Sequence, residues 1–381
     1  MRKKDRCFII GAGPSGCVLA NKLSEYFNNV IIYDKRDNIS GNCYDKKIEG
    51  ILTHVYGPHF FHTNNKNVFD FLSKYTDWVP YELKVKAKLD NNELYDLPIN
   101  RNTLNKFFNK DLKNDKETSD FIDSIRLDSI EIENAESQVL NKIGESIYLS
   151  FFKGYTQKQW NKDPKELDAS ITARIPIRTN TDDRYFTDEY QALPKDGYTK
   201  MFERMIDKDN ISTHLNYEVN SLLSFVRDVK FNEDNDMIIS SMPIDNFLSN
   251  IFGELEYRSL DIKIDVLKGI DKFQENVIIN YPSMKKKYTR KVETKHIYDN
   301  NKDSTVVVTE YPSDKGEKYY PVLTQKNKER LERYKDISDR LENNNIYTIG
   351  RLGLFKYLNM DQTIEEALNL SERIKNKIKE E

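Results

Sequence analysis

Cysteine is scarce in this chain of 381 residues. Its three cysteines, Cys7, Cys17 and Cys43, all lie near the N-terminus. An odd number of cysteines placed in this way forms neither a disulfide framework nor a zinc ligand set. The simplest environment for such a chain is the reducing cytosol, and we therefore expect a cytoplasmic protein.

Long apolar runs and an excess of one charge are also missing. No stretch approaches the ~20 apolar residues of a membrane-spanning helix, so we expect no membrane insertion. The formal charge of −3 comes from 59 basic and 62 acidic side chains, whereas a nucleic-acid-binding protein usually carries a basic excess. Aromatic residues, by contrast, make up 12% of the chain, which supports a folded core and argues against disorder.

The N-terminal segment has the pattern of a dinucleotide-binding βαβ unit. An apolar run over residues 6–10 predicts a buried strand. Residues 11–16 then read G-x-G-x-x-G at the start of a predicted helix, and a second apolar run ends at the acidic residue Asp34. This context predicts phosphate binding at the glycine turn and ribose binding at the acid. The predicted cofactor-binding residues are Gly11, Gly13, Pro14, Ser15, Gly16 and Asp34.

Residues after the second strand favour FAD over NAD. Lys35 follows the acidic strand end, and Ser40-Gly41-Asn42 provides a second turn of the kind found in flavoproteins of the glutathione-reductase type, although serine stands where a first glycine is expected. We add Lys35 and Asn42 to the cofactor-binding set.

The middle of the chain changes from helical to strand-like patterns. Residues 101–168 have mostly helical spacing of apolar positions, whereas residues 265–310 contain β-branched runs typical of strands. Tyr281-Pro282 and Tyr311-Pro312 are predicted to end two of these strands. The tail again predicts a short strand and a long amphipathic helix.

Several short motifs follow one another in a fixed order. They are YGPHFFHTN at 56–64, KGYTQKQW at 153–160, RIPIR at 174–178, YTR at 288–290, YYP at 319–321 and GRL at 350–352. Together with the glycine turn they resemble the UDP-galactopyranose mutase family, flavoenzymes that interconvert the pyranose and furanose forms of a nucleotide sugar. The resemblance extends over essentially the whole chain.

The resemblance implies an α/β fold in which a Rossmann-like FAD-binding domain carries an inserted helical bundle and an antiparallel β-sheet substrate domain. The expected FAD domain is discontinuous, over 1–80, 194–245 and 315–381. Helices are expected over 100–185, with a mobile loop near 178–190, and the sheet domain over 81–99 and 246–314.

The resemblance also implies a reaction without net redox change. N5 of reduced FAD acts as nucleophile on the anomeric carbon and displaces UDP, after which the sugar recloses as a five-membered ring. Arg178 and Arg290 match the two arginines that stabilise the departing diphosphate, a task suited to the planar guanidinium. The family further implies an isomerase in cell-surface polysaccharide biosynthesis and a homodimer.

Aromatic residues match the substrate side of the family pocket. Tyr155 and Trp160 match positions on the uridine side, although aromatics at this spacing often serve only core packing. Tyr185, Tyr319 and Tyr357 match positions whose hydroxyls reach the diphosphate. Tyr320 is the alternative to Tyr319, because the register of the motif leaves both open.

The histidine-bearing turn and the C-terminal motifs match the flavin side of the pocket. His59 and His62 both approach the flavin in the expected arrangement, with His62 favoured for a catalytic role. A metal site is disfavoured because no carboxylate or thiol completes a ligand set. Arg351 and Met360 match further cofactor contacts.

One departure from the family pattern leaves the sugar open. After Tyr357 the chain reads Leu358-Asn359-Met360, where the family typically has tyrosine and aspartate before the methionine. The substrate is therefore expected to be UDP-galactose or a related nucleotide sugar that is N-acetylated, deoxy or longer. Two rival hypotheses are a flavin oxidoreductase of the amine-oxidase type and a non-catalytic nucleotide-sugar sensor.

Overall fold

A computed structural model describes residues 3–173, 175–298 and 303–380, so that Arg174, the first residue of the 174–178 motif, lies outside the described residues. The strands are β1 Lys4–Ile10, β2 Phe27–Tyr33, β3 Asp45–Ile48, β4 Ile51–His54, β5 Phe61–Thr63, β6 Trp78–Pro80, β7 Val85–Lys88, β8 Leu94–Leu97, β9 Tyr190–Pro194, β10 Ile211–His214, β11 Asp236–Ser240, β12 Tyr257–Lys268, β13 Ile278–Asn280, β14 Arg290–Val292, β15 Ser304–Ser313, β16 Tyr320–Pro321 and β17 Ile346–Thr348.

The helices divide between the termini and a central insertion. They are α1 Pro14–Leu23, α2 Lys66–Leu72, α3 Arg101–Phe108, α4 Asp115–Ile125, α5 Ala135–Ile143, α6 Glu145–Ile147, α7 Gly154–Trp160, α8 Ser170–Ala173, α9 Tyr198–Ile206, α10 Leu222–Asp228, α11 Ile244–Phe247, α12 Lys295–Tyr298, α13 Gln325–Leu341, α14 Gly350–Gly353 and α15 Met360–Glu380. A π-helical segment, Tyr148–Lys153, leads directly into α7.

A parallel sheet with the strand order β10-β2-β1-β11-β17 contains the strands of the predicted dinucleotide-binding unit, and we call it the nucleotide-binding layer. Its central strand β1 is buried on both faces because helices cover each side. Cys7 and Ile9 pack toward α1, α9 and α15, whereas Phe8 and Ile10 pack toward α10 and α13. This alternation follows from the period of two along a strand, and it explains why β1 is a continuous apolar run.

The turn between β1 and α1 depends on glycine at two positions. Gly11 has φ of +105°, and a Cβ added there would lie 2.1 Å from Oγ of Ser241. A Cβ on Gly16 would lie 2.0 Å from the carbonyl oxygen of Gly11, so only glycine lets α1 approach the turn this closely.

The second large sheet has the order β16-β12-β15-β14-β13-β7-β8 and is antiparallel except between β7 and β13. The prediction that Pro282 follows the end of a strand agrees with β13, which ends at Asn280. The prediction for Pro312 is wrong, since β15 continues to Ser313 and pairs Pro312 with Leu260 of β12. Proline is tolerated there because β14 has already ended, which leaves that side of β15 without a ladder partner among the described residues.

The helical insertion begins three of its helices with asparagine caps. Side-chain oxygens of Asn100, Asn114 and Asn134 accept hydrogen bonds from the backbone N–H groups three residues on, at Thr103, Glu117 and Ser137. Asparagine favours this position because it satisfies a donor that has no partner within the helix.

The longest helix, α15, has 21 residues and is amphipathic. Its apolar stripe packs against α1 and the parallel sheet, while charged residues occupy its outer face. Within 3–173, 175–298 and 303–380, no helix is both long and apolar enough to cross a bilayer.

The second glycine-type turn, next to the first, contains an unusual serine. Ser40 has φ of +77°, in the left-handed region that favours glycine, and its side chain is fully buried. Its Oγ has no hydrogen-bond partner among the described residues. The position therefore combines backbone strain with an unsatisfied hydroxyl.

Ser40→Gly is expected to stabilise the protein by about 1 kcal/mol, because relief of the left-handed strain and of the buried hydroxyl outweighs the added chain entropy of glycine. Thermal unfolding of the holoprotein should show a Tm rise of about 2 °C. Ser249→Gly is the matched control, since Ser249 has φ of +56° but is exposed, and a smaller gain is expected there. An unchanged or lowered Tm for Ser40→Gly would contradict the prediction.

Candidate active site

Two cavities meet between the parallel sheet and the second large sheet, which we call the mixed sheet. The larger, which we call the cleft, has a volume of about 1100 Å³, and the smaller, which we call the cofactor cavity, about 490 Å³. His59, Arg351 and Met360 line both. A ligand that fills the smaller cavity can therefore present one end to a second ligand in the cleft.

The cofactor cavity lies at the C-terminal ends of β1 and β2, where nucleotide ligands bind in parallel sheets. The predicted cofactor residues that line it are Gly11, Gly13, Pro14, Ser15, Asp34, Lys35, Asn42, His59, Arg351 and Met360. Gly16 does not line it and instead packs behind the turn. Helix α1 begins here without a side-chain cap, so its first N–H groups can receive an anionic group.

Asp34 is held at the end of β2 by its own backbone surroundings. One carboxylate oxygen accepts a hydrogen bond from the N–H of Ala12 at 2.7 Å, and the other from the N–H of Arg36 at 2.9 Å. The carboxylate thus braces the glycine turn, and each oxygen keeps lone pairs for hydroxyl donors in the cavity.

A short segment from the mixed-sheet side closes over the cofactor cavity. Glu317, which lines the cavity, forms ion pairs with Lys35 and Arg36 from the opposite wall. The next residue, Lys318, bonds the buried Asp245 at 3.1 Å. The segment is therefore fastened to the nucleotide-binding layer on two sides.

The cleft brings together side chains from the helical insertion, the mixed sheet and the C-terminal segment. The predicted catalytic and substrate residues that line it are Arg178, Arg290, His62, Tyr155, Trp160, Tyr185 and Tyr357. Trp160 also belongs to a small core cluster and is only 4% exposed, so it serves packing and lining together.

Tyr319 and Tyr320 face different cavities. Tyr319 lines the cofactor cavity, whereas Tyr320 lines the cleft, in keeping with the alternation of side chains along an extended segment. Of the two registers left open by the sequence, the structure favours Tyr320 as the cleft residue. Its ring is stacked on that of Tyr357, with centroids 6.0 Å apart, and meets Trp160 edge-on.

Arg290 is paired with a carboxylate that sequence reasoning missed. Nε of Arg290 lies 2.6 Å from Oε2 of Glu310, its partner directly across the β14–β15 ladder. The Glu310 side chain is 1% exposed, whereas that of Arg290 is 24% exposed. The contact uses Nε and leaves both terminal nitrogens without a hydrogen bond among the described residues, so that they can serve a ligand in the cleft.

Arg178 is held by the loop that follows it. Its guanidinium donates to the carbonyl oxygens of Asp182 and Arg184. Arg184 in turn forms a bidentate pair with Asp182 and lowers the pKa of that carboxyl to about 2. Arg184 also reaches Glu82, so the loop is fastened to the mixed-sheet side in this conformation, while its mobility stays a prediction.

The two histidines occupy different places. His59 lies where the cavities meet, whereas His62 lines the cleft and not the cofactor cavity. The ring of His62 is stacked on that of Phe186, and its Nδ1 lies 2.9 Å from Oδ2 of Asp188. Burial lowers the pKa of His59 to about 3, so it is neutral at physiological pH. Its Nδ1 faces the carbonyl oxygen of Gly57 at 3.0 Å and must carry the hydrogen, which leaves Nε2 as an acceptor.

Arg351 organises the C-terminal wall of both cavities. Its guanidinium donates to the carbonyl oxygen of Leu358 and lies over the rings of Tyr320 and Tyr357, 5.4 and 5.1 Å from their centroids. These contacts hold the segment that continues into Asn359, another cleft residue.

Asn280 is a further cleft residue that sequence reasoning missed. It ends β13 directly opposite Arg290, and its Oδ1 is buried without a hydrogen-bond partner among the described residues. Neither Asn280 nor Glu310 stands in a polar motif, and each closes a β-branched run, which is why only the strand register reveals them.

Comparison with known proteins identifies relatives over nearly the full length of the chain. A family model described as "GLF: UDP-galactopyranose mutase" matches residues 150–357, and one for a NAD(P)-binding Rossmann-like domain matches residues 9–75. A probable UDP-galactopyranose mutase of Klebsiella pneumoniae is 38% identical, over 96% of this chain and 93% of the relative. A dTDP-fucopyranose mutase of Escherichia coli is 36% identical, over 97% and 98%.

A solved structure agrees at the level of the fold. The crystal structure of a reduced UDP-galactopyranose mutase superimposes with a TM-score of 0.77 at 15% identity, covering 99% of this chain and 94% of the other. At that identity the likeness concerns the fold alone, and it agrees with the α/β architecture expected from the sequence.

Glu310→Gln is expected to lower the free energy of unfolding by about 2 kcal/mol, because it removes the counter-charge of Arg290 at a buried site. Glu256→Gln is the matched control, since Glu256 pairs with Lys162 at the surface and should cost less than about 0.5 kcal/mol. Urea unfolding of the two variants measures the difference. Equal small effects would show that the Arg290–Glu310 pair behaves like a surface ion pair.

Proposed function

The chain belongs to the UDP-galactopyranose mutase family, and we propose that it interconverts UDP-galactopyranose and UDP-galactofuranose with a bound flavin. The observation that carries the proposal is the junction of the two cavities. A dinucleotide in the smaller cavity would reach the cleft at His59, Arg351 and Met360, and the same cleft contains the two arginines suited to a diphosphate.

FAD fits the chemistry of the cofactor cavity. The N-terminus of α1 suits the pyrophosphate, and Asp34 offers acceptors to ribose hydroxyls. In the reduced state FAD supplies a nucleophilic nitrogen, N5, that can attack the anomeric carbon of a sugar. Neutral His59 adds no positive charge beside the ring system, which leaves Arg351 as the cation at the junction.

Arg178 and Arg290 would stabilise the charge that develops on UDP as the bond to the sugar breaks. Guanidinium groups suit this role because they remain protonated and donate two parallel hydrogen bonds to phosphate oxygens. The buried Glu310 keeps Arg290 in place before the ligand arrives, so little reorganisation is needed in the transition state.

Aromatic residues would complete the substrate site. Tyr155 and Trp160 on α7 offer flat surfaces to the uracil ring, and Tyr185, Tyr320 and Tyr357 offer hydroxyls toward the diphosphate. His62, stacked on Phe186, would support the loop that covers the ligand rather than contact the flavin.

A mutase for a related nucleotide sugar is the second candidate. The relative named dTDP-fucopyranose mutase is nearly as similar to this chain as the probable UDP-galactopyranose mutase. Asn359, a neutral amide in the cleft, replaces the expected carboxylate, and this would suit a sugar with one hydroxyl fewer or with an acetamido group.

The wider setting is part of the same proposal. A nucleotide-sugar isomerase with three buried free thiols suits the reducing cytoplasm, where it would supply a furanose donor for cell-surface polysaccharide. We also propose a homodimer, which light scattering of the holoprotein would measure directly.

The reduced holoprotein is expected to convert UDP-galactofuranose to UDP-galactopyranose over many turnovers without consuming reductant, because the reaction has no net redox change. Chromatography of the products after dithionite treatment provides the measurement. Stoichiometric use of reductant would favour the flavin oxidoreductase hypothesis instead, whereas equal rates from the oxidised and reduced forms would contradict the role of the reduced flavin.

Arg290→Ala is the test variant for this assay, and Lys291→Ala is its matched control. Loss of the cleft arginine should lower kcat by ~10²-fold. Lys291 is its neighbour on β14 but contacts Phe273 and Tyr288 outside the cleft, so its loss should leave kcat within about twofold.

A panel of galactose and fucose linked to UDP or dTDP separates the two candidates. The first proposal predicts the highest kcat/KM for the UDP-galactose pair. A preference of more than about tenfold for dTDP-fucose, equivalent to about 1.4 kcal/mol in transition-state binding, would establish the second candidate.

A further inference from the structure

Lys158 makes a contact that the proposed reaction does not use. Its side-chain Nζ donates to three backbone carbonyl oxygens, those of Tyr281 at 2.5 Å, Ser283 at 2.9 Å and Tyr288 at 2.9 Å. All three belong to the turn between β13 and β14, which we call the 281–289 turn. Lys158 itself lies on α7, an element of the helical insertion.

The charged form of the lysine matches this site. An ammonium has three N–H donors, one for each carbonyl oxygen, whereas the neutral amine has two. Burial lowers the pKa of Lys158 to about 8, so the ammonium still predominates at neutral pH. Asp90, whose charge raises the pKa of Lys158, is already paired with Lys285.

Helix α7 presents two different faces. Gly154 and Lys158, four residues apart, face the 281–289 turn, and a Cβ on Gly154 would lie only 2.5 Å from the carbonyl oxygen of Pro282. Tyr155 and Gln159, also four residues apart, line the cleft. The helix thus uses one face to dock on the turn and the neighbouring face to form the wall of the cleft.

The 281–289 turn joins the two strand ends that carry Asn280 and Arg290. Tyr281 lies one residue after Asn280, and Tyr288 two residues before Arg290, so the three-carbonyl contact holds both sides of the turn near the cleft. The C-terminal turn of α7 is also fixed, because buried Arg258 of β12 donates to the carbonyl oxygens of Lys158 and Gln159.

We propose that Lys158 is a positioning residue, which fastens the 281–289 turn to α7 and so sets the separation between Arg290 and the aromatic wall of Tyr155 and Trp160. The inference rests on the proposed function only for the identity of the ligand. The mechanical contact itself can be tested without any nucleotide.

Hydrogen–deuterium exchange of the holoprotein tests the contact. Lys158→Met should raise the exchange rate of backbone amides in residues 281–290 by at least about tenfold, because the turn loses three charge-assisted hydrogen bonds. Lys106→Met is the matched control, since Lys106 donates to one carbonyl, that of Leu94, and pairs with Glu93, and none of these residues lines the cleft. Unchanged exchange in the 281–290 segment of Lys158→Met would overturn the proposal.

A double-mutant cycle on UDP affinity tests whether Lys158 acts through Arg290. Lys158→Met should weaken UDP binding about tenfold by calorimetry, and Lys158→Met/Arg290→Ala should bind within about twofold of Arg290→Ala. A full further loss in the double variant would show that Lys158 does not act through Arg290. Should Lys158→Met yield no holoprotein, Lys158→Gln, whose amide retains two donors, replaces it in both experiments.

The two measurements distinguish failure of the proposal from failure of the proposed function. A wild-type protein that binds no UDP contradicts the proposed UDP-galactose function, yet the exchange experiment still decides whether Lys158 holds the turn. A protein that binds UDP but shows neither faster exchange nor coupling retains its function and loses the positioning role of Lys158.

Discussion

The cleft depends on keeping a cation in a site sheltered from water before any ligand arrives. The buried carboxylate of Glu310 meets this constraint for Arg290 through the register of β14 and β15, which places the two side chains opposite each other. An unpaired charge there would be costly, and a mobile one would have to be reorganised during the reaction. The nearby Gly57 contributes as well, because a Cβ on it would come within 3.0 Å of Oε1 of Glu310.

Around this pair, the walls of the cleft come from segments distant in sequence. The loop after Arg178 is fastened by Arg184, the histidine turn by Gly57 and His54, and the C-terminal segment by Arg351. The contacts to Arg184, Gly57 and Leu358 use backbone carbonyl oxygens, which do not depend on the identity of the partner side chain, whereas His54 accepts through its ring Nδ1. The side chains that face the ligand are therefore free to differ among relatives while the frame is retained.

The parts of the fold that were predictable are those controlled by local chemistry. The glycine turn requires particular residues at fixed spacing, and the apolar runs of β1 and β2 follow from burial on both faces. The helical pattern of the insertion agrees with α3 to α7. The end assigned to a strand at Pro312 was wrong because the exposure of one side of β15 depends on where its neighbour β14 stops, which is information from tertiary structure.

The site was only partly predictable for the same reason. Most residues that the motifs singled out line one of the two cavities, but the motifs could not distinguish Tyr319 from Tyr320, since that choice depends on the pleat of an extended segment. Glu310 follows a β-branched run, and Lys158 lies in a motif whose other residues drew attention to the ligand. Their partners lie 20 residues or more away along the chain, beyond any local pattern.

The short stretch that holds Glu317, Tyr319 and Tyr320 forms part of the boundary of both cavities. Neighbouring side chains on one extended backbone cannot shift independently, so a movement that widens one chamber alters the other. A ligand that shifts this stretch would therefore link occupancy of the two cavities, and thermodynamics would require the linkage to act equally in both directions. The affinity of the cleft for its ligand would then depend on whether the cofactor cavity is filled, and the reverse would hold to the same extent.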